Sequence, residues 1–200
     1  MLMLLLVMTV VTKITHINDY SPNVGDRLFF DANIWLAIYG PSPAHWTQTP
    51  CSSLFYKLIK NNIDIYTNSL IISEVVNSWA RLEFNQQRTV LNFKTNEFKK
   101  FRETPEYLNV AEEISINIEK ILRWSKRFDS GLESIDMEII NSKYKSGTYD
   151  FNDLIFREIC KANNFILVTN DRDFCTTDVN ILTANSNMLT MLRMSNNRCP

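Results

Sequence analysis

Phe165-Ile166-Leu167-Val168-Thr169-Asn170-Asp171-Arg172-Asp173-Phe174 is the stretch on which the reading of this chain turns. Its first four residues are apolar without a polar alternation, the pattern of a strand covered on both faces in a parallel sheet. Two carboxylates, Asp171 and Asp173, follow within five residues. Open parallel sheets bind their ligands beyond the carboxyl ends of the strands, so acids at this point are candidates for chemistry as well as for a turn.

Working outward, Tyr149-Asp150-Phe151-Asn152-Asp153-Leu154 opens a predicted helix over Asp150–Ala162 that ends near Asn163-Asn164. The three-residue spacing places Asp150 and Asp153 on one helix face. Far upstream, Arg27-Leu28-Phe29-Phe30 is another short apolar run, and Asp31-Ala32-Asn33 follows it directly. Ile63–Tyr66 reads as a strand, and Val179–Leu182 as the last one. A helix is expected from Ser73 to about Arg88, with Ser73 as N-cap and Glu74 in its first turn. Strands that alternate with helices predict right-handed βαβ units and an α/β domain with a mostly parallel sheet.

The remaining segments are read more coarsely. Pro41–Pro50, with three prolines, is expected to be a loop, and Cys51–Lys60 a helix. Asn92–Arg127 is expected to be mostly helical with a break at Pro105, resuming over Glu106–Phe128. Gly131–Gly147 reads as a helix and then a polar loop, and Asn187–Arg193 as a final helix. No linker divides the chain. We therefore expect an N-terminal extension over 1–25, one domain over 26–193 that includes a helical insertion at 92–147, and a tail over 194–200.

Composition excludes several classes. At 45% hydrophobic and 22% charged, with four Gly and six Pro in 200 residues, the chain is neither disordered nor repetitive. Its net charge of −1 does not announce a nucleic-acid binder, although an acidic pocket would offset basic surface elsewhere. Cys51, Cys160, Cys175 and Cys199 form no CxxC pair, and His16 and His45 lie far from the acidic motifs, so no zinc cluster or histidine triad is supported. The cysteines read as free thiols of a reducing compartment. Met1–Val11 is apolar but too short to span a bilayer, and it lacks the basic flank of a signal peptide. An upstream start codon, with Met8 as the true start, is the simpler account, and the expected location is the cytoplasm with no membrane partner.

Each acid alone has an ordinary explanation: Asp150 as an N-cap, Asp153 and Glu74 as first-turn residues favoured by the helix dipole, Asp171 and Asp173 as turn formers. Together they are harder to dismiss. Four segments would deliver like charges to one sheet edge, where only a cation or shared protons relieve the repulsion. Oxygen donors without His or Cys point to Mg²⁺ or Mn²⁺.

These motifs resemble those of the PIN-domain family, the fold of many ribonuclease toxins of bacterial toxin–antitoxin pairs. The matching pieces are Phe29-Phe30-Asp31-Ala32-Asn33, Ser73-Glu74, Asp153-Leu154-Ile155 and Val168 to Phe174, with the Asp153-to-Asp171 spacing of the family's helix–strand hairpin. The resemblance covers roughly residues 26–185. It implies a three-layer αβα domain, here with an extended helical insertion, and a metal-dependent endoribonuclease acting on RNA. On matching positions it implies Asp31, Glu74, Asp153 and Asp171 as catalytic metal ligands, with Asp150 sharing or replacing the role of Asp153 and Asp173 close by. Asn33, Ser73, Thr169 and Asn170 would orient the carboxylates. It also implies an antitoxin partner and a homodimer.

The conspicuous basic segment is Phe93-Lys94 with Phe98-Lys99-Lys100-Phe101-Arg102. Aromatic and basic side chains interleaved in this way suit base stacking with phosphate contact, whereas an amphipathic helix would bury the rings and leave Lys94, Lys99, Lys100 and Arg102 as a solvated face. Two other functions stay open. One is a phosphatase-type enzyme with a strand-end aspartate nucleophile, although Asn33 stands where such enzymes carry a second acid. The other is a non-catalytic binding module on the same fold.

Overall fold

The computed structural model describes residues 13–190 except 42–43, 129–132, 134 and 177. Its strands are β1 (Ile14–His16), β2 (Arg27–Phe30), β3 (Asp64–Thr67), β4 (Lys126–Arg127), β5 (Ile166–Val168) and β6 (Ile181–Thr183). They form one sheet in the order β1-β6-β5-β2-β3-β4, and every pairing is parallel. The helices are α1 (Ala32–Tyr39), α2 (His45–Lys60), α3 (Ser69–Gln87), α4 (Phe98–Phe101), α5 (Pro105–Trp124), α6 (Met137–Tyr144) and α7 (Phe151–Asn163). A short 3₁₀ turn covers Arg172–Thr176. Among the described residues, no helix is long and apolar enough to cross a membrane.

The layering follows from strand order. The connections β2→β3→β4 step one way across the sheet, and the long connection back to β5 steps the other way. Because parallel crossovers are right-handed, α1, α2, α3 and α5 cover one face and α7 the other. The result is the expected three-layer α/β domain. β2 lies between β3 and β5, and Leu28, Phe29 and Phe30 are fully buried, as a strand covered on both faces requires. Phe29 stacks on Phe165 at 6.0 Å and meets Phe156 of α7 at 5.9 Å, while Phe30 packs on Trp35 of α1. Asn164, in the left-handed region at φ 52°, ends α7 where the reading of the sequence placed its end and turns the chain into β5.

Several expectations change. The Pro41–Pro50 loop gives way at His45 to α2, which contains Pro50. The proline forgoes one helical hydrogen bond, and the buried Cys51, Leu54 and Leu58 hold the helix on the core. Helix α3 starts before Ser73: the cap is Asn68, whose Oδ1 accepts from Ile71 N at 2.9 Å. Ser73 is therefore in the second turn with Glu74 beside it. The segment Asn92–Arg127 is less helical than expected, since α4 is four residues long, and Pro105 begins a helix instead of breaking one. Thr104 Oγ1 caps α5 by accepting from Tyr107 N, and a proline in the first turn loses no hydrogen bond. β4 and β1 had no counterpart in the sequence reading. β1 pairs with β6, so the sheet reaches upstream of residue 26 into the stretch read as an extension. The final helix begins at 186 and is described to 190, and Met1–Val11, Cys199 and residues 191–193 lie outside the described residues.

Candidate metal centre

Asp31 is the first residue after β2 and the N-cap of α1. It is 5% exposed, and its carboxylate is held from three sides. Oδ1 accepts from Ala32 N at 2.6 Å, and Oδ2 accepts from Thr169 Oγ1 at 2.6 Å and from the Asn33 side-chain amide. The parallel register makes this possible. Phe30 lies opposite Val168, so Asp31 and Thr169 leave adjacent strands side by side, and Asp31 N donates to Val168 O at 3.0 Å.

Thr169 and Asn33 also organise the next acid. Thr169 Oγ1 accepts from Asp171 N at 3.0 Å, and Asn33 Oδ1 accepts from Asn170 N at 3.1 Å. Asp171 Oδ1 then accepts from Asp173 N at 3.0 Å. Asn170 anchors this loop to the strand end beyond it: its Oδ1 accepts from Ala184 N at 2.8 Å and from Thr183 Oγ1, and its backbone oxygen accepts from Asn185 Nδ2 at 3.0 Å. Thr183 and Asn185 are buried polar residues that the sequence reading missed. The available signal was a polar Thr-Ala-Asn run immediately after an apolar strand.

The other acids arrive from the two helical layers. Asp150 caps α7, its Oδ1 accepting from Asn152 N at 2.8 Å, and Asp153 sits in the first turn of that helix. Glu74 comes from α3 on the opposite layer. Carboxylate oxygens of Asp153, Asp171 and Asp173 lie within 4.8 Å of one another. Asp31, Glu74 and Asp150 are outside that tight group but near enough to act on it electrostatically. Burial pushes the Asp31 carboxyl up to about 6 against the pull of its hydrogen bonds, with the charge of Asp171 adding to the rise. Glu74 and Asp153 are each pushed up to about 7, first by burial and then by the charges of Asp31, Asp150 and Asp171. Among the described residues none of these six carboxylates is paired with a lysine or arginine.

Ser73 does not join them. Its hydroxyl accepts from Asn77 Nδ2 within α3, and it is exposed. Of the two readings of the aromatic–basic segment, the packing favours the amphipathic one. Phe101 is fully buried, and Phe93, Phe98 and Phe101 all pack on Phe84 of α3. Lys94, Lys99, Lys100 and Arg102 remain exposed, with Lys100 paired to Glu97 at 2.6 Å.

The donor set suits a hard divalent cation. It consists of oxygens only, held together with no ion pair to a lysine or arginine among the described residues. Among the described side chains softer ligands are unsuitable: burial pushes the Cys51 thiol up to about 11 and the Cys160 thiol well above its ordinary range, and His16 Nδ1 accepts from Asn18 N. An acidic cluster that raises its own protonation is a recognised mark of a functional site.

A family model described as PIN domain matches residues 28–180. Among solved structures, the chain is similar to the crystal structure of VapBC2 from Rickettsia felis bound to a DNA fragment from their promoter. That likeness is 16% identical at a TM-score of 0.47 and covers 78% of this chain and 96% of that chain. No curated protein matches. With three-quarters of its length matched by the family model, the chain belongs to the PIN domain family, whose members are generally nucleases.

Proposed function

We propose that this protein is a metal-dependent endoribonuclease that hydrolyses RNA phosphodiester bonds in the cytoplasm. The observation that carries the reading is the gathering of six carboxylates, from segments as far apart as Asp31 and Asp173, onto one rim of a parallel sheet with no lysine or arginine among the described residues paired to them. Asp31, Glu74, Asp153 and Asp171 would hold Mg²⁺ or Mn²⁺, with Asp173 contributing from the same loop and Asp150 acting from the helix cap. Bound there, the ion would supply Lewis-acid activation of water and neutralise charge on the departing 3′-oxygen.

The chain's own residues do the rest. Thr169 and Asn33 fix the Asp31 carboxylate, Thr169 and Asn170 fix the loop of Asp171, and the buried wall behind Asp31 excludes bulk water. Burial and the neighbouring charges favour the protonated forms of Glu74 and Asp153, which a cation would displace, so binding should release protons to the buffer. Lys94, Lys99, Lys100 and Arg102 would meet phosphates away from the centre. The toxin role, an antitoxin partner and a homodimer complete the proposal, and the neighbouring open reading frame is the direct test for the antitoxin.

The phosphatase reading is weaker, because an Asp31 carboxylate with three hydrogen-bond donors on it is held rather than free to attack. The decisive assay incubates the purified protein with end-labelled RNAs in Mn²⁺, in Mg²⁺ and in EDTA, beside Asp31→Asn. We expect cleavage only with metal and a loss of at least about a hundredfold in the variant. Mn²⁺ binding by calorimetry without cleavage of any RNA would instead leave a binding module.

A further inference from the structure

A second concavity opens on the same rim, beyond β3. It measures about 580 Å³ and is lined by Thr67, Asn68, Ile72, Leu122, Arg127 and Phe128. Thr67 is the last residue of β3, Arg127 the last of β4, and Asn68 the cap of α3. Phe128 N donates to Thr67 O at 2.8 Å, which fixes the phenylalanine beside the end of β3.

Two features make this more than a gap between helices. Thr67 is 1% exposed and Asn68 is 4% exposed, yet Thr67 Oγ1 and Asn68 Nδ2 have no hydrogen-bond partner among the described residues. The other end of the Asn68 amide is committed to Ile71 N, so the side chain cannot flip to satisfy itself without uncapping α3. Buried polar atoms are nearly always paired, and two unpaired ones on residues that line a single cavity point to a ligand that supplies the partners. The walls say which kind. Ile72, Leu122 and Phe128 are apolar, while Arg127 is exposed. Apolar walls with a few polar atoms suit a small flat molecule, and a nucleobase offers both a flat face and a hydrogen-bonding edge. A cation alongside would meet its phosphate.

We propose that this cavity receives a nucleobase of the RNA next to the cleaved bond, with Phe128, Ile72 and Leu122 against its face, Thr67 and Asn68 at its edge, and Arg127 on the adjoining phosphate. Thr67 ends the strand beside β2, which Asp31 follows, and β5, which leads to Asp171, lies one strand further, so Thr67 stands one or two strand spacings, roughly 5–10 Å, from the strand ends that carry these acids. That distance suits a neighbouring nucleotide. The inference rests on the nuclease reading for its ligand.

The test uses a fluorescein-labelled single-stranded RNA decamer and a set of the same decamers with one abasic ribose placed at each position in turn. Anisotropy in EDTA measures affinity, and a parallel run in Mn²⁺ measures cleavage. The variants are Thr67→Val, which removes the unpaired hydroxyl at nearly constant volume, and Asn68→Asp, which keeps the acceptor that caps α3 but loses the donor. We expect one abasic position to weaken binding by the wild type about tenfold, and each variant to lose most of that discrimination. Thermal melts should show both variants folded, with Thr67→Val at least as stable as the wild type. Absence of any abasic penalty in the wild type overturns the proposal. So do variants that weaken intact and abasic RNA equally. Cleavage without an abasic penalty sinks the cavity alone, whereas no cleavage by any protein sinks the nuclease reading and with it the identity given to the ligand.

Discussion

Thr169 serves two acids with one hydroxyl, donating to Asp31 Oδ2 and accepting from Asp171 N. It is fully buried and belongs to neither the strand nor the 3₁₀ turn that follows. Thr169→Val should therefore keep the packing and free both carboxylates to drift. We expect cleavage to fall about 10–100-fold, with serine restoring most of it. Full activity in the valine variant, by initial rates at saturating Mn²⁺, would remove Thr169 from the site. The sequence already pointed at Asp31 and Asp171, because a strand end followed by acids is a local pattern, whereas this threonine entered only through the resemblance to the PIN family. Thr183 and Asn185 could not be found in that way. Their partner, Asn170, reaches them only because β5 and β6 lie side by side.

The four residues of α4 show how an amphipathic pattern can suggest the wrong role. Phe101 contacts Phe84, Phe93 and Tyr107 and has no exposed surface. Phe101→Ala should cost about 3–5 kcal/mol, lowering the melting temperature by roughly 10 °C or more, while cleavage at low temperature survives. A base-stacking residue would do the reverse, and a melting curve beside an activity assay separates the two. Strands β2, β3, β5 and β6 were readable to within about two residues because each carries an apolar run. β4 consists of Lys126 and Arg127, both exposed on the sheet's edge, and offers no hydrophobic signal at all. The start of α3 was misplaced for a related reason. Asn68 caps as well as a serine does, but the apolar run Leu70-Ile71-Ile72 between it and Ser73 resembles a strand as much as a helix.

Folding this protein buries acids and packs them against each other, and stability should record the cost. In the unfolded chain Asp31, Glu74 and Asp153 ionise near their ordinary values, 3.8 to 4.5, whereas in the metal-free fold they do so at about 6 to 7. Over that interval the folded state binds more protons than the unfolded one, so stability falls as pH rises from about 4.5 to 7 and levels off above. For Asp31 alone the penalty is on the order of 3 kcal/mol. Thermal melts in EDTA at pH 5, 6, 7 and 8 should show a decline to pH 7 that then levels off, Asp31→Asn should make it shallower, and Mn²⁺ at pH 8 should reverse it. A melting temperature that rises with pH in EDTA would contradict the electrostatic account of the cluster.

The bond from Thr169 to Asp31 joins residues 138 positions apart. During synthesis the ribosome therefore delivers Asp31 early and its fastening threonine much later, and β2 waits for β5 to pair beside it. No fragment that stops short of β5 contains the complete set of acids. On the proposed reading a growing chain is thus harmless to the messenger that encodes it, and the site is complete only once the segment through Asp173 has emerged.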